Sequence, residues 1–107
     1  MFTHEDERRT LYAWATGDFR ECKAIVAKEW CVLGDHYHRN KDEHFFLVSG
    51  CIEYMQIADT DVRRVKAPHF FVVPRNTYHA IHILPGAILL CAMTEAYDPA
   101  DEIPGEP

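Results

Sequence analysis

The chain has 107 residues, 48% of them apolar, and a formal net charge of -6. A chain of that size holds one hydrophobic core and not two, and its apolar share is that of a globular protein rather than a disordered one. The acidic balance, with basic residues scattered rather than clustered, argues against a nucleic-acid partner. No stretch approaches the roughly 18 apolar residues of a membrane-spanning helix. The opening MFTHEDERRT is charged and lacks the apolar centre of a signal peptide, so a cytoplasmic location is expected. The cysteines at 22, 31, 51 and 91 fit no C-x-x-C pattern. They read as free thiols that fill space.

Short apolar runs separated by turn residues predict an antiparallel sandwich or barrel, an all-β fold. Thr10–Thr16 has room for one helical turn, and Thr16-Gly17-Asp18 is a turn. Residues 21–32 read as one strand carrying Ala24, Ile25, Val26 and Trp30, and Leu33-Gly34-Asp35 turns the chain. His44–Ser49 is a strand that Gly50 breaks, Cys51–Ile57 is the next, and residues 58–61 turn again. Phe70–Val73 is a strand stopped by Pro74. His79–Leu84 and Ala87–Thr94 are strands joined by Pro85-Gly86. The tail after Tyr97, DPADEIPGEP, is proline-rich and acidic and is expected to be extended.

Two places carry chemistry. In GDHYHRNKDEHFFLVSG (34–50), His36 and His38 stand two apart, so in a strand they share a face. Glu43 follows after a bend that lets its carboxylate return to them. Two imidazoles and a carboxylate are the donor set of a facial metal triad. In PRNTYHAIH (74–82), Asn76 suits a left-handed turn, and His79 is in phase with Ile81 and Ile83. A histidine facing the core needs a partner, and a metal shared with His36, His38 and Glu43 would supply one. His82 is out of phase and belongs on the outer face. Phe45 and Leu47 share Glu43's parity and would wall a pocket with Ile81. Tyr54 is a candidate catalytic acid or base. Asp35, Arg39, Asn40, Lys41 and Asp42 read as turn and rim.

Together these segments resemble the cupin superfamily, in particular small RmlC-like jelly rolls. Its first motif, G-(X)5-H-X-H-(X)3,4-E-(X)6-G, is matched from His36 through Glu43 to Gly50, with Trp30 where the leading glycine stands. In the second, G-(X)5-P-X-G-(X)2-H-(X)3-N, Pro74 and His79 match, while Pro68, Asn76 and Ile83 depart from it. The resemblance implies one jelly-roll β-barrel domain over residues 1–107, its core at about residues 20–94, with extended terminal segments at 1–19 and 95–107. It implies one divalent transition metal ion (iron, manganese, nickel or zinc) held by His36, His38, Glu43 and His79. It further implies a small-molecule ligand or substrate and a homodimer. The leading expectation is a metal-dependent enzyme on a small polar metabolite, with dioxygenase, isomerase or lyase chemistry. The alternatives are a sugar-nucleotide epimerase or isomerase, which the ends of the chain also resemble and which works with a histidine and a tyrosine without metal, and a non-catalytic ligand-binding barrel.

Overall fold

A computed structural model describes residues 2–105. Among them β1 (Phe2–Glu5) and β2 (Thr10–Ala13) form a separate hairpin. Strands β3 (Glu21–Val26), β5 (Glu43–Ser49), β8 (His69–Val73) and β10 (Ile88–Met93) make an antiparallel sheet in the order β3-β10-β5-β8. Strands β4 (Cys31–Tyr37), β6 (Cys51–Ile57), β7 (Thr60–Lys66), β9 (His79–Ile83) and β11 (Ile103–Pro104) make the other, ordered β11-β4-β9-β6-β7. From β3 onward the chain changes sheet at every connection except the β6–β7 hairpin. That alternation is the jelly roll, with the core between the sheets. Apart from one 3₁₀ turn at Pro99–Asp101 the described residues hold no helix, and none is long and apolar enough to cross a membrane.

Period-two alternation places the core. Glu43, Phe45 and Leu47 of β5 point inward, as do His79, Ile81 and Ile83 of β9 and Leu89, Cys91 and Met93 of β10. Leu47, Ile52, Ile81, Ile83, Leu89 and Met93 are entirely buried. Phe46 points the other way and is buried all the same, because Tyr12 and Trp14 cover it (ring centroids 5.1 and 6.0 Å away). This contact explains why Thr10–Ala13 is a strand and not a helical turn: extended backbone carries the aromatic rings across the outer face of the β3-β10-β5-β8 sheet.

Other expectations change as well. The run 21–32 is not one strand. It breaks between β3 and β4, where the chain crosses sheets and Ala27 exchanges backbone hydrogen bonds with Gly86 and Ala87. Leu33-Gly34-Asp35 lies inside β4 as a bulge rather than a turn. Strand β7 has no apolar alternation, since it is a sheet edge with only Val65 buried. The terminal segments are a hairpin at one end and a folded tail at the other. Asp98 caps the 3₁₀ turn by accepting from Ala100 N (3.0 Å), and β11 pairs with β4 at Tyr37 and His36.

Leu47→Ala should cost about 2–5 kcal/mol in a denaturant titration. Val48→Ala, one residue on and exposed, should stay within about 0.5 kcal/mol.

Candidate metal-binding and acid–base site

The site depends on a break in the alternation of β4. Cys31 and Leu33 pack against the core, so strict alternation would turn His36 outward. Opposite β9, however, Gly34 pairs with Ala80 and His36 with His79, which leaves Asp35 as an extra residue. Asp35 takes φ +66° and Gly34 φ +90°. One inserted residue reverses the facing of those that follow, and His36 and His38 therefore point inward. Gly34 is required here on two counts: its φ lies in the left-handed region, and a Cβ would sit 2.7 Å from both the ring Cδ2 and the carbonyl of His79. The Tyr78 hydroxyl donates to Asp35 (2.6 Å) and ties down the bulge. Asn76, at φ +60°, makes the turn that delivers His79, and its N–H bonds the His38 carbonyl.

The four expected metal-site residues meet at one point. His36 Nε2 is 3.0 Å from His38 Nε2, and Glu43 Oε1 is 3.0 Å from His38 Nε2 and 3.5 Å from His79 Nε2. The coordinating nitrogens of His36, His38 and His79 all lie within 4.8 Å of one another. A carbonyl can only accept a hydrogen bond, so its partner on a histidine ring must be the donor. His38 Nδ1 donates to the Asp101 carbonyl (2.9 Å) and His79 Nδ1 to the Thr77 carbonyl (3.3 Å). In the neutral rings this leaves the Nε2 lone pairs facing inward, beside a carboxylate oxygen that is buried and accepts no well-directed hydrogen bond. Ring nitrogens about 2.1 Å from one ion and at right angles stand about 3 Å apart. Histidines anchored through their second nitrogen are what metal centres use. The residues present thus fit a divalent ion.

Charge is distributed unevenly over the site. Burial pushes the His79 imidazole down to about 4, and burial together with neighbouring His38 also lowers His36. Burial opposes charge on His38 too, but the Glu43 carboxylate and the Asp101 carbonyl outweigh it and raise its pKa. Burial alone would raise Glu43, yet His38, His79 and Lys41 hold it below the usual carboxylate range. His38 and Glu43 form a charge-sharing pair between two neutral histidines.

A cavity of about 320 Å³ opens over this cluster, lined by Phe45, Ile81, Leu33, Cys91, Lys41 and Tyr97 among others. No protein-family model matches the chain, and no curated protein matches it. Solved structures do. A TDP-fucose-3,4-ketoisomerase from Campylobacter jejuni superposes with a TM-score of 0.75 at 16% identity, over 97% of this chain and 84% of that one. A variant of the 3,4-ketoisomerase QdtA from Thermoanaerobacterium thermosaccharolyticum, in complex with TDP-4-keto-6-deoxyglucose, gives 0.75 at 18% identity over 97% and 83%. The RmlC epimerase of Mycobacterium tuberculosis gives 0.76 at 16% over 94% and 64%. The fold is that of the RmlC-like cupins. Identities this low establish the fold alone, and the chemistry has to come from the residues.

In this barrel two expected pocket residues, Phe45 and Ile81, line the cavity, whereas Leu47 lies deeper in the core. Tyr54 is not at the site. A register shift in β6 between Ile52 and Tyr54 turns both Ile52 and Met55 inward and leaves Tyr54 outside. There it packs on His82 and Arg63 and donates to Gln56 (3.2 Å). Two residues read as rim or tail belong to the site. Lys41 is buried on the cavity wall. Asp101 accepts from the backbone N–H groups of Arg39 (2.9 Å) and Asn40 (3.3 Å), and its carbonyl orients His38. Nothing local marks Asp101, because its contacts span some sixty residues.

Acid should destabilise the metal-free protein. His36 and His79 have lowered pKa values, so the folded state binds fewer protons than the unfolded one. For His79 the loss begins as pH falls below 6.5 and is complete near 4. It amounts to on the order of 3 kcal/mol. His38, with a raised pKa, acts in the opposite sense and offsets part of this. The stabilisation from Glu43 is present above its unfolded pKa and lost as pH falls through its depressed folded one. Denaturant titrations in chelator between about pH 7 and about pH 4.5 should show stability falling, and His79→Gln should flatten that fall.

Proposed function

We propose that this cupin is an isomerase or epimerase that moves a proton next to the carbonyl of a keto sugar, with a sugar nucleotide as the substrate class. The observation that carries it is the His38–Glu43 pair on the cavity floor. Isomerising a keto sugar needs a base that takes a proton from the carbon beside the carbonyl and gives it back at a neighbouring position. His38 suits that role: its Nδ1–H is engaged by Asp101, so Nε2 is left to accept the proton. Glu43 Oε1, 3.0 Å from that same Nε2, stabilises the imidazolium that forms. Neutral His79 offers an acceptor to a sugar hydroxyl, and Phe45 and Ile81 keep water from the reacting carbons. The structural neighbours support the same class, since those named are ketoisomerases and an epimerase and one is bound to a keto sugar nucleotide.

The converging lone pairs favour a second reading, in which His36, His38, Glu43 and His79 hold a divalent ion. Such an ion would supply Lewis acidity to a substrate carbonyl. The readings differ in His38, which is a base in one and a ligand in the other.

Proton exchange and isomerisation of TDP-4-keto-6-deoxyglucose, followed by NMR, test the proposal. Turnover is expected, and His38→Asn should lower kcat by about 10²–10⁴-fold. Unchanged turnover in that variant would overturn the assignment. Activity that survives exhaustive chelation selects the metal-free base, and activity lost and restored by an added ion selects the metal.

A further inference from the structure

Lys41 is buried to 3% exposure, yet among the described residues no carboxylate lies within salt-bridge distance of it. An ammonium has three N–H donors. The only acceptor within reach among the described residues is the Met93 thioether, at 3.4 Å, and the Tyr97 ring lies 5.9 Å away. A thioether is a weak acceptor, and an unpaired charge out of water is costly. The residue lines the same cavity as His36, His38, Glu43 and His79. Tyr97 also faces a second lysine, Lys23 of β3, at 5.6 Å, and Lys23 lines the cavity as well. In a chain of net charge -6, one wall of the cavity thus presents two ammonium groups near one aromatic ring.

We propose that Lys41, with Lys23 at the mouth, binds an anionic oxygen of the ligand, a carboxylate or a phosphate, while the rest of the ligand reaches the histidine cluster. An oxyanion would give Lys41 the charged acceptor that the protein withholds. A charge-assisted hydrogen bond in a site screened from water discriminates strongly against neutral ligands. The assignment rests on the cavity being the substrate site and places an anionic group of the substrate at Lys41. Lys41 is a specificity and positioning residue in this assignment.

The test reads binding without turnover. The full chain, labelled with ¹³C-methyl methionine and kept in chelator, is titrated with inorganic phosphate, with D-gluconate and with neutral D-glucose. The Met93 methyl group adjoins Lys41 and reports on it. Phosphate or gluconate should shift that signal saturably and glucose should not; which anion acts tells a phosphate site from a carboxylate site. Lys41→Met should weaken anion binding roughly ten- to a hundred-fold, and Lys41→Arg should retain most of it. If Lys41→Met fails to fold, Lys41→Gln takes its place. The assignment is overturned if neither anion moves Met93, or if a folded charge-removed variant binds both anions as tightly as wild type. Anion binding without turnover of any keto sugar would sink the isomerase reading and leave Lys41 standing. Turnover of keto sugars with KM unchanged by loss of Lys41 would do the reverse.

Discussion

Everything in this barrel is arranged around one electrostatic constraint. Three imidazole nitrogens within 4.8 Å of one another surround a buried carboxylate oxygen that is 3.0 Å from one of them and 3.5 Å from another. A buried carboxylate among three imidazoles calls for a proton or a cation beside it. A proton on His38 is one solution and a divalent ion is another. Each makes Glu43 the counter-charge, and each needs His36 and His79 to stay neutral, as their burial ensures.

Holding such a cluster requires backbone devices as well as side chains. The extra residue at Asp35 turns two histidines inward from a strand whose earlier parity would have exposed both, and Gly34 makes room for the third. The C-terminal tail folds back so that the Asp101 carbonyl fixes one ring and its carboxylate fixes the loop that follows. A tail that looks like loose acidic sequence is thus part of the site's scaffold. The same fold-back brings Tyr97 against Lys41 and Lys23, so this part of the cavity wall is also built by residues far apart in the chain.

What could be read in the sequence follows from how locally each feature is determined. Strands β5, β9 and β10 alternate cleanly and were visible, and so was the pairing of His-x-His and Glu with a distant histidine after a proline. Strand β7 was invisible because an edge strand that buries one side chain has no reason to alternate. Tyr54 was misplaced because one irregularity in β6 reverses parity without leaving a mark in the residue types. Lys41 sits in the charged run Arg39-Asn40-Lys41-Asp42 and looks like rim. Its burial comes from Met93 and Tyr97, some fifty residues away, whereas its neighbour Asp42 does sit at the surface, paired with Arg75 at 3.2 Å.

The most direct measurement is a cobalt(II) titration of the chelator-stripped full chain, followed by visible absorption and mass spectrometry. If the three histidines and Glu43 are a single cation site, one ion should bind per chain with a change in the d–d spectrum, and binding should be lost in His36→Ala and His79→Ala while both variants remain folded. Failure of the wild type to bind cobalt, or binding that persists in both variants, would contradict a shared centre.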